Sequence, residues 1–299
     1  MTYPRSVVFT LVICLAGCSH VDTKDDPGVI ASTDWLQNVL AEPTLLLFHV
    51  GTEEVFDSIH IPGARLLDPY AFTVSSEGLR NQLPEVDSIG ALLASLGVEE
   101  NSRLVLYAES EQMITRTARV YLTLDFAGYG EQTHVLNGGL EEWFETAVSN
   151  QVTKKVTKKV TKKVTKKVTI SAAGVDRHRW DPDFVLVDVR SSEEYYGELD
   201  STGQMGSRGH IEGAYFMDYH LLLSESNPQL IKEEEALLNE FERAGMDREK
   251  TTVFYCGSGV RASLAYLAAR HLDYPVLLYD GSIQEWEELG LPQTSPVIE

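Results

Sequence analysis

Cysteine is scarce in this chain, with only three among 299 residues, at positions 14, 18 and 256. Basic residues are also few, because 25 Lys and Arg face 45 Asp and Glu and leave a formal net charge of −20. So acidic a protein repels the phosphate backbone of nucleic acids, and we expect no nucleic-acid partner. The histidines, His134 and His271 among them, show no metal-ligand spacing, so we predict neither a metal nor a cofactor.

The apolar run from Val7 to Gly17 is too short to span a bilayer, but it has the length of a signal-peptide core. The sequence LAGC that ends at Cys18 resembles the lipobox of bacterial lipoproteins, where the chain is cut before an acylated cysteine. That resemblance implies a signal peptide over residues 1–17, a lipid-modified Cys18 and a membrane anchor. In Gram-negative lipoproteins an Asp directly after the acylated cysteine is the usual signal for retention in the inner membrane. This chain has Ser19 at that position, which favours the outer membrane, with the protein facing the periplasm. An ordinary signal peptide with a chance cysteine is the alternative.

This interpretation leaves Cys256 as the single free thiol, because Cys14 is lost with the signal peptide and Cys18 carries lipid. No intramolecular disulfide is then possible. A lone thiol in an oxidising compartment is either buried as a small apolar residue or used in chemistry. The neighbours of Cys256 must decide between the two.

Residues 151–169 read QVTKKVTKKVTKKVTKKVT, with four VTKK units. Val and Thr are mediocre helix formers and the lysines repel one another, while a strand would mix apolar and charged residues on each face. We therefore predict an exposed, extended linker over residues 150–170. Its lysines suit contact with anionic lipid or with the acidic domains, although a tolerated repeat without a role is the favoured interpretation.

Two halves of the chain, residues 28–149 and 171–299, resemble each other on either side of this linker. The paired segments are FHVGTEEVFDSIHIPGA with VDVRSSEEYYGELDSTGQMGSRGHIEGA, LVLYAESEQ with TVFYCGSGV, and LNGGLEEWFE with YDGSIQEWEE. An offset that stays steady over a whole half is typical of a duplicated domain rather than of a short solenoid repeat.

Short apolar, β-branched runs alternate with helix-like segments in each half. In the second half the predicted strands are 183–189, 251–256 and 275–281, and apolar residues recur at helical spacing over 227–246, where Gly245 follows the last turn. Strands that alternate with helices predict an α/β fold, with a parallel sheet covered by helices on both faces in each half. In such sheets the ligand site lies beyond the carboxyl ends of the strands.

Cys256 ends one of these predicted strands, and an Ala- and Leu-rich helix begins at Arg261. Glycines in the turn between them let the chain curl and bring successive N–H groups inward. The helix N-terminus adds unpaired N–H groups and a positive dipole end, which favours the thiolate over the thiol. The turn therefore predicts a pocket for an anion with Cys256 at its base.

The run CGSGVR at 256–261 resembles the active-site loop of rhodanese sulfurtransferases. The resemblance covers most of both halves and includes DVR at 188–190, GHIEGA at 209–214 and the segment from Asp280 to Trp286. It implies two tandem rhodanese-like domains. In that family the cysteine takes a sulfane sulfur from a donor such as thiosulfate, becomes a persulfide and passes the outer sulfur to a thiol or cyanide.

The resemblance also implies the roles of individual residues. Cys256 is the expected nucleophile, and Asp188 is expected to support the site from the end of its strand. The residues expected to bind the small anionic sulfur donor, through loop N–H groups or a guanidinium, are Arg190, Gly257, Ser258, Gly259, Val260 and Arg261. A salt bridge from Arg190 to Asp188 is the alternative role for that arginine, and His210 is interpreted as structural.

The first half lacks this chemistry. Ala108 stands where the second half has Cys256, and His49 and Gly51 replace Asp188 and Arg190. In two-domain rhodaneses the N-terminal half is likewise the inactive one. The resemblance therefore implies that the first half packs on the second and helps to line the substrate cleft.

Three other functions stay open. A phosphatase of related fold has five residues between Cys and Arg, whereas this loop has four, residues 257–260. 3-Mercaptopyruvate sulfurtransferases typically have the loop CGSGVT, from which this chain departs at Arg261, while thiosulfate-specific enzymes carry two basic residues where this chain has Gly257 and Ser258. A module that only binds or carries persulfide is the third. The positive character expected of the pocket favours thiosulfate as the donor.

Overall fold

A computed structural model of the chain describes residues 26–147, 167–200 and 209–294. The predicted signal peptide, the predicted lipidation site Cys18 and most of the predicted linker therefore lie outside the described residues. Within the described ranges, no helix combines the length and the apolar character that crossing a membrane requires.

The first half contains a five-stranded parallel sheet and an antiparallel hairpin. Its strands are β1 (Ile30–Ala31), β2 (Leu45–Val50), β3 (Arg65–Leu67), β4 (Val74–Ser76), β5 (Leu79–Gln82), β6 (Arg103–Ala108) and β7 (Thr133–Leu136). Its helices are α1 (Thr33–Val39), α2 (Glu53–Ser58), α3 (Val86–Ser95), α4 (Glu111–Phe126) and α5 (Gly139–Ala147). The sheet has the order β1-β7-β6-β2-β3, and β4 pairs with β5 outside it.

The second half repeats this plan. Its strands are β8 (Thr169–Ile170), β9 (Phe184–Asp188), β10 (His210–Ile211), β11 (Tyr215–Phe216), β12 (Thr251–Tyr255), β13 (Val276–Tyr279) and β14 (Gln293–Thr294). Its helices are α6 (Ala172–His178), α7 (Ser192–Tyr196), α8 (Glu234–Arg243), α9 (Val260–His271) and α10 (Ser282–Glu288). The parallel sheet has the order β11-β9-β12-β13-β8, so β12 holds the central place that β6 holds in the first half.

The central strands are apolar on both faces because helices cover both faces of each sheet. In β12, Val253 packs into the apolar cluster on one face and Phe254 into the cluster on the other, and both are fully buried. The predicted α/β fold, with a helix-covered parallel sheet in each half, is confirmed.

Helices α4 and α9 pack against each other between the two sheets. Every residue of α9 from Val260 to Ala269 except Arg261 is buried, as expected for a helix that is apolar on all sides. One apolar cluster includes residues of both helices and of both sheets. The two halves therefore share a core, and the carboxyl end of β12 lies beside the seam between them.

The helix predicted from residue 227 is shorter than its spacing suggested. Helix α8 begins only at Glu234, so the prediction was wrong for residues 227–233. Ile231 instead exchanges hydrogen bonds with the Asn137 side chain of the first half, at 2.8 and 3.1 Å. The contact with the other half outweighs the helical pattern there. Gly245 follows the helix in the left-handed conformation, with φ 71°, as its position predicted.

Candidate active site

Cys256 lies just beyond the carboxyl end of β12, the central strand of the second sheet. Its exposed fraction is 1%, and it forms part of the floor of a cavity of about 380 Å³. This is where parallel sheets place their ligand sites. The thiol is thus buried from bulk solvent but adjacent to a space that admits a small molecule.

The backbone of the cysteine loop is fixed from outside by the start of α10. The N–H of Cys256 donates to Ser282 Oγ at 3.2 Å, and this hydroxyl donates to the carbonyl of Tyr279 at 3.0 Å. The N–H of Ile283 in turn donates to the carbonyl of Cys256 at 3.1 Å. Ser282 adopts a φ of 54°, which is unusual for a residue other than glycine. It holds this conformation where its hydroxyl satisfies the buried N–H of the cysteine.

The N–H groups of residues 257–262 have no hydrogen-bond acceptor among the described residues. The first N–H of α9 with a backbone partner is that of Ser263, which donates to the carbonyl of Gly259 at 3.1 Å. Gly259 precedes the helix with φ 83°, a conformation that favours glycine. Next to the thiol, the loop therefore offers free N–H groups and the positive end of a helix dipole, as the sequence predicted.

Arg261 lines the cavity, but its charge is already paired. Its guanidinium donates to both carboxylate oxygens of Glu194, at 2.5 and 2.8 Å. Burial acts to lower the pKa of Arg261, but the bond to Glu194 and the electrostatic interaction with Cys256 outweigh it, so that the pKa is raised. Glu194 also accepts from the N–H of Ser191 in a capping box at the start of α7. The carboxylate thus connects α7 to the cysteine loop.

Asp188 and Arg190 lie beside the site rather than in the cavity. Both are fully buried, and the guanidinium donates to both carboxylate oxygens of Asp188 and to the carbonyl of Gly209. Burial acts to lower the pKa of Arg190, but the charge of Asp188 outweighs it and the pKa is raised. The structure therefore favours the salt-bridge alternative for Arg190 and does not bring its guanidinium to the substrate space.

The first half supplies part of the cavity wall. Arg80 and Asn81 of β5 and Arg116 of α4 line the cavity together with the cysteine loop. The Asn81 amide donates to Ser258 Oγ at 2.9 Å and accepts from Arg116 at 2.8 Å. Its φ of 57° lies in the left-handed region, which Asn tolerates better than most residues.

A buried arginine joins the two halves beneath this wall. Arg119 of α4 donates to Asp280 at 2.6 Å and to the carbonyl of Asn81 at 2.5 Å. Asp280 also accepts from the N–H of Leu83 at 2.8 Å. A Cβ at Gly259 would lie only 2.8 Å from the Arg119 guanidinium. The cysteine loop therefore passes close to the Arg119–Asp280 ion pair.

The corresponding place in the first half is filled by a carboxylate. Glu109, which follows Ala108, accepts from the N–H of Thr52 at 2.8 Å and bonds His49 at 3.0 Å. Burial lowers the pKa of His49, against the opposing influence of Glu109. The Glu109 side chain occupies the space where any Cβ at Gly51 would project. At this position the first half therefore has a buried carboxylate and no thiol.

The remaining predicted residues can be placed in the same way. The predicted residues that line the cavity are Cys256, Gly257, Ser258, Val260 and Arg261. His210 is buried, stacks on Tyr195 with ring centroids 3.7 Å apart, and bonds the Tyr195 carbonyl through Nδ1. The lining residues that the sequence did not single out are Arg80, Asn81, Arg116, Ser191, Glu194, Leu199 and Asp200. Only Glu194 had a local signal, the Ser-x-x-Glu pattern of a capping box.

Known proteins share this architecture. The model of the rhodanese-like domain matches residues 32–146 and 171–289. The thiosulfate sulfurtransferase of Azotobacter vinelandii is 29% identical over 265 residues, covering 87% of this chain and 94% of that protein. The 3-mercaptopyruvate sulfurtransferase of Escherichia coli (strain K12) is 26% identical over 230 residues, covering 76% and 80%.

The fold likeness extends to solved structures. The crystal structure of the 3-mercaptopyruvate sulfotransferase SseA from Escherichia coli matches with a TM-score of 0.68 at 24% identity, covering 85% of this chain and 98% of that one. Since the domain model matches both halves and each half has the corresponding sheet, the chain belongs to the rhodanese family.

Proposed function

We propose that this protein is a sulfurtransferase that moves the sulfane sulfur of thiosulfate to cyanide or a thiol through a persulfide on Cys256. The Cys256 thiolate attacks the outer sulfur of thiosulfate, the sulfur–sulfur bond breaks, and sulfite leaves with the bonding electron pair. The acceptor then attacks the outer sulfur of the persulfide. Cys256 leaves as a thiolate, and the product is thiocyanate or a new persulfide.

One observation carries this proposal: a thiol that lines a cavity, next to a run of N–H groups at a helix N-terminus that have no acceptor in the part of the chain that the structure describes. Such groups stabilise an anion on the sulfur of the cysteine before and after transfer. Arg261 adds a nearby positive charge. We assign Asp188 and Arg190 a structural role next to the cavity, since they form a buried ion pair with each other and do not line it.

The test is mass spectrometry of peptides from the full chain after incubation with thiosulfate. We expect one added sulfur atom on the peptide that contains Cys256, released by cyanide, and none in Cys256→Ala. If wild-type protein gains no sulfur on this peptide, the transferase proposal fails and a module that only binds persulfide is favoured instead.

3-Mercaptopyruvate is the second candidate donor, because the loop CGSGV is shared with enzymes for that donor and one relative carries that name. Thiosulfate is favoured because it carries two negative charges and the cavity is lined by three arginines, Arg80, Arg116 and Arg261. Comparing kcat/KM for the two donors decides between them. Release of phosphate from an aryl phosphate, lost in Cys256→Ser, would instead support the phosphatase alternative.

For the location we propose a lipid anchor at Cys18, with the protein facing the periplasm from the outer membrane. The LAGC sequence and Ser19 support this proposal. Incorporation of labelled fatty acid into the full chain, absent in Cys18→Ala, is the expected result. Equal labelling of both proteins would contradict it.

A further inference from the structure

Two arginines of the half that has no cysteine line the cavity. Arg80 lies on β5 and Arg116 on α4, and both line the same space as Cys256. Neither arginine forms an ion pair with a carboxylate anywhere in the described parts of the chain. They differ in this from Arg261, which both oxygens of Glu194 engage.

Each of these arginines is fixed in the cavity wall by its own contacts. Arg116 donates to Asn81 Oδ1 at 2.8 Å and lies over the Tyr70 ring, 4.6 Å from its centroid. The N–H and carbonyl of Arg80 bond the Gln284 amide of α10 at 3.1 and 2.9 Å. The Arg116 guanidinium is therefore held by Asn81, which itself bonds Ser258 of the cysteine loop, and docking on α10 fixes the backbone of Arg80.

Three arginines and two acids line the cavity. Glu194 is bound to Arg261, whereas Arg80 and Arg116 have no carboxylate partner among the described residues. The chain as a whole carries a formal charge of −20, which repels an anionic donor. An anion that approaches Cys256 must therefore be attracted by a local field, and Arg80 and Arg116 supply it.

We propose that Arg80 and Arg116 form the anion-binding side of the active site and bind the sulfonate oxygens of thiosulfate while its outer sulfur reaches Cys256. This assignment rests on the proposed transferase function and names the residues that select its donor. A donor with two negative charges gains more from two free guanidinium groups than 3-mercaptopyruvate, whose carboxylate carries one charge.

Binding is measured without chemistry in a Cys256→Ser background, by calorimetric titration with thiosulfate. We expect Arg80→Gln and Arg116→Gln each to weaken binding by about 10-fold or more, as loss of a charge-assisted hydrogen bond predicts, and the double variant to weaken it further. Arg177→Gln, which removes an exposed arginine on α6 that does not line the cavity, is the matched control and should bind as the background protein does. Arg80 is also exposed, so its replacement leaves the core intact.

Turnover of the variants with Cys256 present gives the second readout. The double variant should raise KM for thiosulfate on the order of 10- to 100-fold and KM for 3-mercaptopyruvate by less, with kcat affected less than KM. Arg116→Lys should recover part of the loss because it keeps a cation. Unchanged thiosulfate affinity in the double variant, or equal losses for both donors, would overturn the proposal. A wild-type protein that binds thiosulfate but forms no persulfide would instead refute the transferase function and leave the anion site standing.

Discussion

Arg261 and Glu194 form a pair whose members depend on each other. The carboxylate is almost buried, with 9% of its side chain exposed, and its hydrogen bonds to Arg261 compensate for the lost solvation. The same carboxylate neutralises the arginine next to Cys256. The loop arginine is therefore expected to hold the cysteine loop in position rather than to offer a free group for donor binding.

Arg261→Ala is expected to leave the buried Glu194 carboxylate without its ion-pair partner. We predict a loss of about 3 kcal/mol in the free energy of unfolding, measured by urea denaturation, together with slower persulfide formation. The double variant Glu194→Gln/Arg261→Met should regain most of the stability without regaining the rate. A single variant as stable as wild type would show that the pair is solvated and contributes little.

The loop that carries Cys256 depends on one glycine at the start of α9. Gly259 combines a φ of 83° with close contacts to Arg119 and Asp280. A side chain there meets backbone strain and steric overlap together. Position 259 of the cysteine loop is therefore expected to tolerate only glycine without a loss of stability.

Gly259→Ala should lower the free energy of unfolding by about 1–3 kcal/mol and impair sulfur transfer, because the strained backbone and the Arg119 contact must both adjust. Gly90→Ala is the matched control: Gly90 lies inside α3, and a Cβ there has no heavy atom within 4 Å. That substitution should be neutral or stabilising by about 0.5–1 kcal/mol. Equal thermal midpoints for both variants would contradict the assigned role of Gly259.

Four histidines of the folded molecule are held neutral by burial: His49, His134, His210 and His271. Burial is the largest cause in each case and lowers the pKa below the ordinary value of 6.5. The unfolded chain therefore binds more protons than the folded one at pH values just below 6.5. Stability must then rise with pH across this window and fall as the solution is acidified.

We predict a lower free energy of unfolding at about pH 5.5 than at about pH 7.5, both measured by urea denaturation. His134→Gln should reduce the difference between the two values, since His134 is 5% exposed and its Nδ1 bonds the Gly28 carbonyl. A flat profile, or a profile of the opposite slope, would show that the buried histidines take up protons without unfolding the chain.

Strands and the cysteine loop were predictable because their signals are local. The predicted strands 183–189, 251–256 and 275–281 contain β9, β12 and β13, and the helix predicted after the loop corresponds to α9. The apolar runs, the glycines and the charge at Arg261 lie close together in the sequence, so a short stretch of residues is enough to recognise them.

The other side of the cavity could not be predicted, because it forms only when the halves dock. Arg80 and Arg116 are far from Cys256 in the sequence and belong to a half whose motif had lost its chemistry. The sequence likewise could not decide whether Arg190 binds the sulfur donor or forms a salt bridge with Asp188. Residues 227–233 show the same limit, since a contact with Asn137 replaced the helix that their spacing favoured.

The buried Glu109 carboxylate makes the corresponding position of the first half a poor place for a reactive thiol. A cysteine placed at Ala108 would emerge beside the Glu109 carboxylate, whose negative charge discourages ionisation of a thiol and repels anionic sulfur compounds. A second thiol site would require the replacement of Glu109 and, at the same time, a new hydrogen-bond partner for the buried His49. On the proposed function, the first half would serve the reaction through the charges of Arg80 and Arg116 rather than through a thiol of its own.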